Sequence, residues 1–391
     1  MSRFPANRHR AFGGGMSGVV VKPVLSRGDR RRFLDLPWSL YQNDPLWVPP
    51  LRLVQKELVG YRKHPFWEQA EIQTFLAWRD GKICGRIAAI INRAHMERYD
   101  ERRGFFGFFE SVDDQEVATA LFDAVRAWLQ QRDVPLLRGP ANPSMNYECG
   151  LLIEGFDSPP TFLTTYNPPY YSRLIEQYGF RKSQDLLAFV GYRAQLPDFD
   201  LKLSSLADQA QERCQAVVRT MNTRRDIDLM LELYNRSFES MWGFVPLSKH
   251  EIKEFVSTLR YLVSPELALI AEVDGRGVGA VIGLPDYNPR IKQIDGRLFP
   301  FGFLKLLGKR RDLKRIRVLS INVVPEFQRW GLGLVLLKGL LPKALEMDVA
   351  EAEFSWIAES NALPLLGLQK SGLKHSKTFR MYDYEGASAA R

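Results

Sequence analysis

The chain has 391 residues, 45% of them hydrophobic and 25% charged, which is enough for two or three globular domains. Its net charge of +9 favours acidic partners such as phosphorylated cofactors, anionic lipids or nucleic acid. The three cysteines are far apart and form no CxxC pair, which argues against a disulfide framework or a zinc site and fits a reducing, cytoplasmic setting.

The N-terminal residues and the longest apolar runs exclude two kinds of membrane segment. Residues 1–17 are basic and glycine-rich without an apolar stretch, so we expect a disordered tail and not a secretory signal. Whether Met1 or Met16 is the true start is left open. Because no run of about 18 apolar residues occurs, we predict no helix that crosses a membrane.

The first half of the chain is predicted to alternate strands and helices. Residues 19–24 predict a strand, and residues 27–41 a helix. Two apolar strands then flank the dipeptide 80–81, an Asp-Gly pair typical of a tight hairpin turn. The aromatic run 104–111 predicts another strand, after which Asp113 is the expected N-cap of an amphipathic helix.

The same order of elements recurs in the second half. Residues 216–239 predict a strand and a helix, and two further strands flank the Asp-Gly pair at 274–275. An apolar strand at 317–324 precedes a helix with one apolar face, and strands are expected at 353–360 and 378–384.

This repetition predicts two related lobes of the α/β (α+β) class. The first lobe is expected to cover residues 18–197 and the second residues 213–386. The polar stretch 198–212, which follows Pro197, is predicted to be the linker between them.

The strongest functional pattern is SINVVPEFQRWGLGLVLL, residues 320–337. An apolar strand ends at Pro325, a glycine-containing turn follows, and an amphipathic helix then begins. Glycines let a ligand approach the backbone, and N–H groups at a helix N-terminus bind anions with help from the helix dipole. Arg329 adds a positive charge, so the segment predicts a pyrophosphate site. An ordinary glycine-rich connection between strand and helix is the alternative.

This segment resembles the acyl-CoA-binding motif of the GNAT superfamily of N-acyltransferases, and the resemblance extends from Cys214 to about Glu385. It implies two tandem GNAT-like lobes, each a mixed, mostly antiparallel sheet flanked by helices, with acyl-CoA as co-substrate and no metal. The backbone near Val323 and Val324 would bind the pantetheine arm and polarise the thioester carbonyl. The resemblance assigns the pyrophosphate to Gln328, Arg329, Trp330, Gly331, Leu332 and Gly333, and a pantetheine contact to Asn361.

The catalytic positions depart from the family pattern. Many members have a tyrosine that protonates the leaving thiolate, and here that position is Leu368. No glutamate lies on the strand 317–324 to act as the usual base, and Ser320 and Asn322 are its polar residues. The matching turn of the first lobe, residues 110–116, has four acids and no glycine, so that lobe is predicted to be degenerate and not to bind acyl-CoA.

The long segment 139–171 is predicted to form the acceptor side of the site. It is irregular and rich in Asn, Pro and Tyr, yet too apolar to be disordered. Glu148 and Glu359 are candidate bases, and Tyr170 or Tyr166 is the candidate acid if the lobes face each other. A packed loop whose polar groups satisfy its own backbone is the alternative. The predicted acceptor residues are Asn142, Asn146, Tyr166 and Asn167.

Residues 296–317 join an apolar, aromatic block to a dense basic run. The stretch 297–317 holds eight basic residues and one acid. This combination is typical of an interfacial membrane segment, in which each basic residue near an anionic leaflet contributes about 1 kcal/mol. A solvated basic helix over a normal core and a nucleic-acid-binding surface are alternatives, although no known nucleic-acid-binding motif accompanies the run. The residues expected to face the membrane are Phe299, Phe301, Phe303, Lys309, Arg310 and Arg311.

The whole two-lobed pattern, including 104–116 and 151–171, resembles a bacterial GNAT-like group that includes the bacterial ceramide synthases. The resemblance implies transfer of a long-chain acyl group from acyl-CoA to the amine of a sphingoid base. The protein would lie peripherally on the cytoplasmic face of the membrane, without nucleic acid as a partner, and its oligomeric state is left open. An acetyltransferase for a small or protein amine and a non-catalytic acyl-CoA-binding protein are the alternatives.

Overall fold

A computed structural model describes residues 18–222, 224–259 and 262–386. The tail predicted at 1–17, including Met16, lies outside these residues. The elements of the first half are β1 (Val20–Pro23), α1 (Arg27–Leu40), α2 (Arg52–Leu58), β2 (Ala70–Arg79), β3 (Lys82–Asn92), α3 (Arg93–Tyr99), β4 (Arg103–Ser111), α4 (Gln115–Gln130), β5 (Leu136–Gly139), β6 (Ala141–Asn142), β7 (Glu148–Cys149), β8 (Leu151–Glu154), α5 (Tyr171–Tyr178) and β9 (Arg181–Tyr192).

The second half repeats much of this order. Its elements are α6 (Leu196–Cys214), β10 (Val217–Thr220), α7 (Ile227–Ser237), α8 (Lys249–Leu259), β11 (Ala268–Val273), β12 (Arg276–Pro285), α9 (Asn288–Gln293), α10 (Gly302–Leu306), β13 (Arg315–Val323), α11 (Leu332–Glu346), β14 (Glu351–Ala358), α12 (Ala362–Lys370) and β15 (Lys374–Tyr384).

One mixed sheet runs through both lobes. Its strand order is β1-β2-β3-β4-β5-β15-β9-β14-β13-β12-β11-β10, with β8 paired to β15 beside this path. The pairs β4–β5 and β13–β14 are parallel, and the other pairs of the sheet are antiparallel. This confirms the predicted class of mixed, mostly antiparallel sheets flanked by helices.

The last strands of the two halves are exchanged between the lobes. β9 closes the first half of the chain but pairs with β14 of the second lobe. β15 closes the chain but pairs with β5 of the first lobe, and the two exchanged strands pair with each other. Domain limits drawn in chain order therefore do not coincide with the sheet of each lobe.

The connection between the lobes is a helix and not the expected polar linker. The stretch 198–212 lies within α6, whose 19 residues begin with a proline in the first turn, where its missing N–H is tolerated. Ala207, Ala210 and Cys214 are buried at helical spacing, and the last two pack into the core of the second lobe. The linker prediction is therefore corrected.

The predicted turns are present, and one helix cap lies a residue later than expected. Asp80 and Gly81 have φ of 51° and 74°, and Asp274 and Gly275 have 51° and 72°, as tight hairpin turns with left-handed residues require. The N-cap of α4 is Asp114, whose carboxylate accepts the backbone N–H groups of the first turn. Asp113, the predicted cap, forms an ion pair with Arg173 instead.

Candidate functional site

The parallel strands β13 and β14 separate partway along their length. Their paired residues run from Arg315 with Glu351 to Val318 with Phe354, whereas β13 continues to Val323 and β14 to Ala358. The unpaired ends leave a gap between two neighbouring strands, beside the start of α11. We call this space the strand gap.

Of the two strand amides expected at the thioester, one is already used by the sheet. The N–H of Val324 donates to the carbonyl of Val278 at 3.0 Å. Hydrogen bonding alternates along an antiparallel strand, so the N–H of Val323 points away from β12 and into the strand gap. The carbonyl of Val323 accepts from Gln328 Nε2 at 3.1 Å. Of the two backbone N–H groups, that of Val323 is therefore the one free of the sheet.

The predicted pyrophosphate turn joins β13 to α11. Residues Pro325–Trp330 form a 3-10 turn, and Gly331 adopts the left-handed region with φ of 82°. The buried Leu332 starts α11, whose first N–H groups have no acceptor within the helix. The side chains of Gln328, Arg329 and Trp330 are exposed around this helix start. Free N–H groups at a helix N-terminus of this kind can bind an anion.

Two other positions of the family pattern lie on α12 and at its start. Asn361 is the N-cap of α12, three positions after the last residue of β14, and its side chain makes no capping hydrogen bond. Leu368 packs against the core of the second lobe. The position of the usual tyrosine therefore offers no proton donor.

A mainly apolar cavity of about 480 Å³ lies between the lobes. The first lobe supplies residues from β4, from α2 and the segment before it, and from the loop 139–171. The second lobe supplies residues from α7, α8 and β12–β14. All four predicted acceptor residues line the cavity: Asn142, Asn146, Tyr166 and Asn167.

Asn142 and Asn167 use their amides to hold backbone. Asn142 Oδ1 accepts the N–H of Phe108 at 2.6 Å. Asn167 Oδ1 accepts the N–H of Leu152 at 2.8 Å, and its Nδ2 donates to the carbonyl of the same residue at 3.1 Å. Both residues therefore support the cavity wall. This agrees with the alternative given above, a packed loop whose polar side chains bond to backbone groups.

Tyr166 and Asn146 make longer-range contacts. Tyr166 donates its hydroxyl proton to Asp44 at 2.7 Å, so this hydroxyl already has an acceptor. Asn146 donates to the carbonyl of Val245 at 2.9 Å and accepts from the hydroxyl of Tyr234 at 3.1 Å. Because these last two partners belong to the second lobe, Asn146 joins the lobes across the cavity.

Glu148 is the predicted base that the structure brings to the cavity. Its carboxylate receives no hydrogen bond from the residues that the structure describes, and it lines the cavity. Burial raises the pKa of Glu148 to about 7, against the opposing field of Arg317. A carboxylate that titrates near neutral pH is suited to remove a proton from an ammonium group.

Arg317 is a site residue that the sequence interpretation missed. It was counted in the basic run, but its side chain is 1% exposed and lines the cavity. It donates to the carbonyl of Leu163 at 2.6 Å and to the hydroxyl of Ser355 at 2.9 Å, so it ties β13 to the loop 139–171 and to β14. The available signal was its position inside an apolar strand, where a charge is expected to be buried and paired.

Tyr170 and Glu359 are not brought to the cavity. The hydroxyl of Tyr170 donates to the carbonyl of Ser111 at 2.7 Å. Glu359 accepts from Lys182 Nζ at 2.7 Å and from the N–H of Asp185 at 3.0 Å. Both side chains support the strands around them, and neither lines the space in which Glu148 lies.

The aromatic insertion forms an exposed surface. Phe299 and Phe301 are each 72% exposed, and Phe303 of α10 is 38% exposed. Lys309 and Arg311 are exposed beside them, and Arg310 is half-buried. We call these six residues the aromatic–basic patch.

The segment that carries the aromatic–basic patch packs against residues that line the cavity. Leu306 of α10 is buried in one cluster with Phe162, Leu284 and Ile291, which line the cavity. The guanidinium of Arg290 fixes the backbone of the insertion by donating to the carbonyls of Leu306 and Gly308, at 3.1 and 3.0 Å. The exposed patch and the apolar cavity therefore share a layer of side chains.

The described residues contain neither a membrane-crossing helix nor a metal-binding cluster. None of their helices is both long enough and apolar enough to cross a bilayer. No three of their His, Cys, Asp or Glu side chains are grouped so that they could hold a metal ion.

Sequence comparison finds two full-length relatives, although no family model matches the chain. The chain is 35% identical over 373 residues to Protein YghO of Escherichia coli (strain K12), covering 93% of this chain and 95% of that protein. It is 32% identical over 381 residues to the bacterial ceramide synthase of Caulobacter vibrioides (strain NA1000 / CB15N), covering 93% of this chain and 97% of that protein.

Solved structures share the fold over nearly the whole chain. The tandem GNAT protein from the clavulanic acid biosynthesis pathway matches with a TM-score of 0.57 at 12% identity, covering 95% of this chain and 99% of that one. A GCN5-related N-acetyltransferase from Sphaerobacter thermophilus matches with a TM-score of 0.51 at 14% identity, covering 94% and 95%.

The continuous two-lobed sheet and the strand gap define the class: this is a tandem GNAT protein and an acyl-CoA-dependent N-acyltransferase. Acyl-CoA is its co-substrate and an amine its acceptor. The chain belongs to the family that contains the bacterial ceramide synthase of Caulobacter vibrioides and Protein YghO.

Proposed function

We propose that the protein transfers a long-chain acyl group from acyl-CoA to the primary amine of a sphingoid base. The observation that carries this proposal is the apolar cavity between the lobes, which is bordered by the acyl-CoA strand β13 and contains the carboxylate of Glu148. Apolar walls suit alkyl chains, and a few polar groups fix the orientation of a ligand. The relative from Caulobacter, named a ceramide synthase, supports the same substrate class.

In the proposed reaction the thioester lies in the strand gap with its carbonyl oxygen on the N–H of Val323. Glu148 removes a proton from the substrate ammonium, and the free amine attacks the thioester carbon. The nitrogen of the tetrahedral intermediate then gives up its second proton to solvent, the carbon–sulfur bond breaks, and the neutral amide and the CoA thiolate form. Glu148 returns the first proton to the thiolate, because Leu368 cannot supply one, so the products are the amide, the CoA thiol and one proton released to solvent. Glu148 therefore acts first as base and then as the source of the returned proton.

We also propose that the aromatic–basic patch rests on an anionic membrane surface. Exposed Phe299 and Phe301 would enter the headgroup region, and Lys309 and Arg311 would contact lipid phosphates. Since the patch shares a side-chain layer with the cavity wall, a lipid substrate would have a short path from membrane to site.

The test is thiol release from acyl-CoA by the purified protein. Palmitoyl-CoA and acetyl-CoA are compared, each with and without sphinganine or its 3-oxo form. We expect release that needs both the long acyl chain and the long-chain base. Equal or faster release from acetyl-CoA with small amines would discard the lipid substrate but keep the enzyme class. Binding of CoA without turnover of any pair would contradict the proposed reaction.

A variant of the turn tests where acyl-CoA binds. Gly333→Glu places a negative charge at the start of α11, where a Cβ would make only an ordinary 3.6 Å contact with Ile321. We expect acyl-CoA binding, measured by calorimetry, to weaken by at least about 10-fold with an unchanged circular dichroism spectrum. Gly18→Glu, at a site with no atom within 4 Å of the added Cβ, is the matched control. Unchanged binding in Gly333→Glu would remove this placement of the pyrophosphate.

A further inference from the structure

Asn322 on β13 is completely buried, yet neither atom of its amide has a partner. Its exposed fraction is 0%, and neither Oδ1 nor Nδ2 forms a hydrogen bond with any residue that the structure describes. Buried polar side chains in folded proteins are nearly always hydrogen-bonded, because leaving them unpaired is costly. Such an amide indicates a partner that is not part of the folded chain.

The side chain of Asn322 lies on the cavity face of β13. Ile321 and Val323 both face α11: a Cβ on Gly333 would lie 3.6 Å from Ile321, and a Cβ on Gly279 would touch both Val323 and Leu336. Side chains alternate along a strand, so Asn322 points to the opposite face. Ser320, two residues earlier on that face, lines the cavity.

Asn322 also lies beyond the last residue of β13 that pairs with β14. That pairing ends at Val318, so Asn322 borders the strand gap, next in sequence to the residue whose N–H points into it. Trp356 of β14 also lies beyond the last residue that pairs with β13, and its buried Nε1 has no partner among the described residues. By contrast, the buried amide of Asn167 is bonded at both ends. Both unpaired donors therefore lie on the two strands that border the strand gap.

We propose that Asn322 Nδ2 donates a hydrogen bond to the carbonyl oxygen of the bound thioester, beside the N–H of Val323. This inference rests on the placement of acyl-CoA in the strand gap. When the amine attacks, negative charge moves onto this oxygen, and donors already fixed in place stabilise it without reorganisation. Asn322 forms and breaks no covalent bond, and the proton still passes through Glu148. Asn322 is thus a catalytic residue that contacts the reacting carbonyl.

The first experiment compares Asn322→Leu with the wild-type enzyme. We expect kcat to fall about 100-fold, as on loss of one oxyanion donor, while KM for acyl-CoA changes less than about 2-fold. The urea midpoint should stay the same or rise, because the substitution removes an unpaired buried amide without a large change of shape. Asn167→Leu is the matched control, and it should unfold at lower urea because its hydrogen bonds to the backbone are lost. An Asn322→Leu protein that is destabilised like this control and retains kcat would overturn the inference.

A second measurement does not depend on the acceptor amine. Two stable acyl-CoA analogues are compared by calorimetry: a ketone, in which CH₂ replaces sulfur and the carbonyl remains, and a thioether that lacks the carbonyl oxygen. The wild-type protein should prefer the ketone by about 2- to 10-fold, and Asn322→Leu should lose this preference. If Asn322→Leu still prefers the ketone, the role of Asn322 is overturned, while the placement of acyl-CoA stands. Failure of the wild-type protein to bind either analogue overturns both the role and the placement of acyl-CoA. If the wild-type protein prefers the ketone but does not acylate a long-chain base, only the proposed substrate is contradicted.

Discussion

The proposed base, Glu148, leads to a prediction of how activity depends on pH. Burial raises its pKa to about 7, and a base works only when it is deprotonated. We therefore expect kcat/KM to rise with pH through about 7 and then to level off. In Glu148→Gln the rate should fall at least about 100-fold, and the rise near pH 7 should disappear. Steady-state thiol release between pH 5.5 and 9 checks this, and a variant that retains the wild-type profile would show that another group takes the proton.

The raised pKa of Glu148 also makes the stability of the protein depend on pH. This effect tests whether Glu148 is buried, whatever its part in catalysis. The pKa of Glu148 is higher in the folded protein than its ordinary value of 4.5, so the unfolded chain loses this proton first. The stability of the wild-type protein therefore falls as pH rises from about 4.5 to about 7. Glu148→Gln, which cannot ionise, should be more stable than wild type at pH 8 and similar at pH 4. Equal urea midpoints at pH 8 would indicate that Glu148 is not buried.

Residue types in the segment 139–171 were enough to predict a pocket, but not what each side chain does there. Asn142, Asn146, Tyr166 and Asn167 all line the cavity, as expected. Their partners lie far away in sequence; Tyr166, for example, is bonded to Asp44, 122 positions earlier. A sequence pattern shows that a polar group is present. Whether its hydrogen-bond donors and acceptors remain available to a ligand depends on contacts that form only in the folded chain.

Among the elements, β15 links the folding of the two lobes. It lies between β5 and β9, and Phe379 at its centre is 0% exposed. We expect Phe379→Ala to lower the free energy of unfolding by about 3–5 kcal/mol. Since the exchanged strand belongs to both lobes, α4 and α11 should lose protection at the same urea concentration in hydrogen exchange measured by mass spectrometry. Phe303→Ala on the surface is the control, and two separate transitions would contradict the coupling.

Local patterns predicted the hairpins at 80–81 and 274–275 and the helix after the glycine-containing turn that follows β13, because each depends on neighbouring residues. The exchange of β9 and β15 could not be predicted in this way. The apolar residues of each strand would suit the sheet of either lobe. Which lobe the strand joins depends on pairings between residues nearly 200 positions apart, such as Lys374 with Val190. The polarity of 198–212 indicated a linker, whereas a narrow stripe with Ala207 and Ala210 is enough to bury one face of a helix.

For the whole molecule, the proposed membrane contact through the aromatic–basic patch would give the enzyme one orientation at a surface. The patch lies over the cluster that borders the cavity, so membrane contact would bring the cavity wall close to lipid. We expect the wild-type protein to sediment with vesicles containing anionic phosphatidylglycerol and to bind neutral phosphatidylcholine vesicles more weakly. Raised salt should weaken the binding, because basic residues contact the headgroups.

Substitutions in the patch separate membrane contact from catalysis. Phe299→Asp combined with Phe301→Asp should abolish vesicle binding, because two charges replace the side chains that would enter the bilayer. Leu25→Asp, at an equally exposed position in the first lobe, should bind vesicles like the wild type. Acyl transfer to sphinganine dissolved in neutral detergent, without vesicles, should be unchanged in the double variant, since neither phenylalanine lines the cavity. Undiminished sedimentation of the double variant, or equal loss in Leu25→Asp, would mean that the patch is not the membrane contact and that the lipid substrate enters by another route.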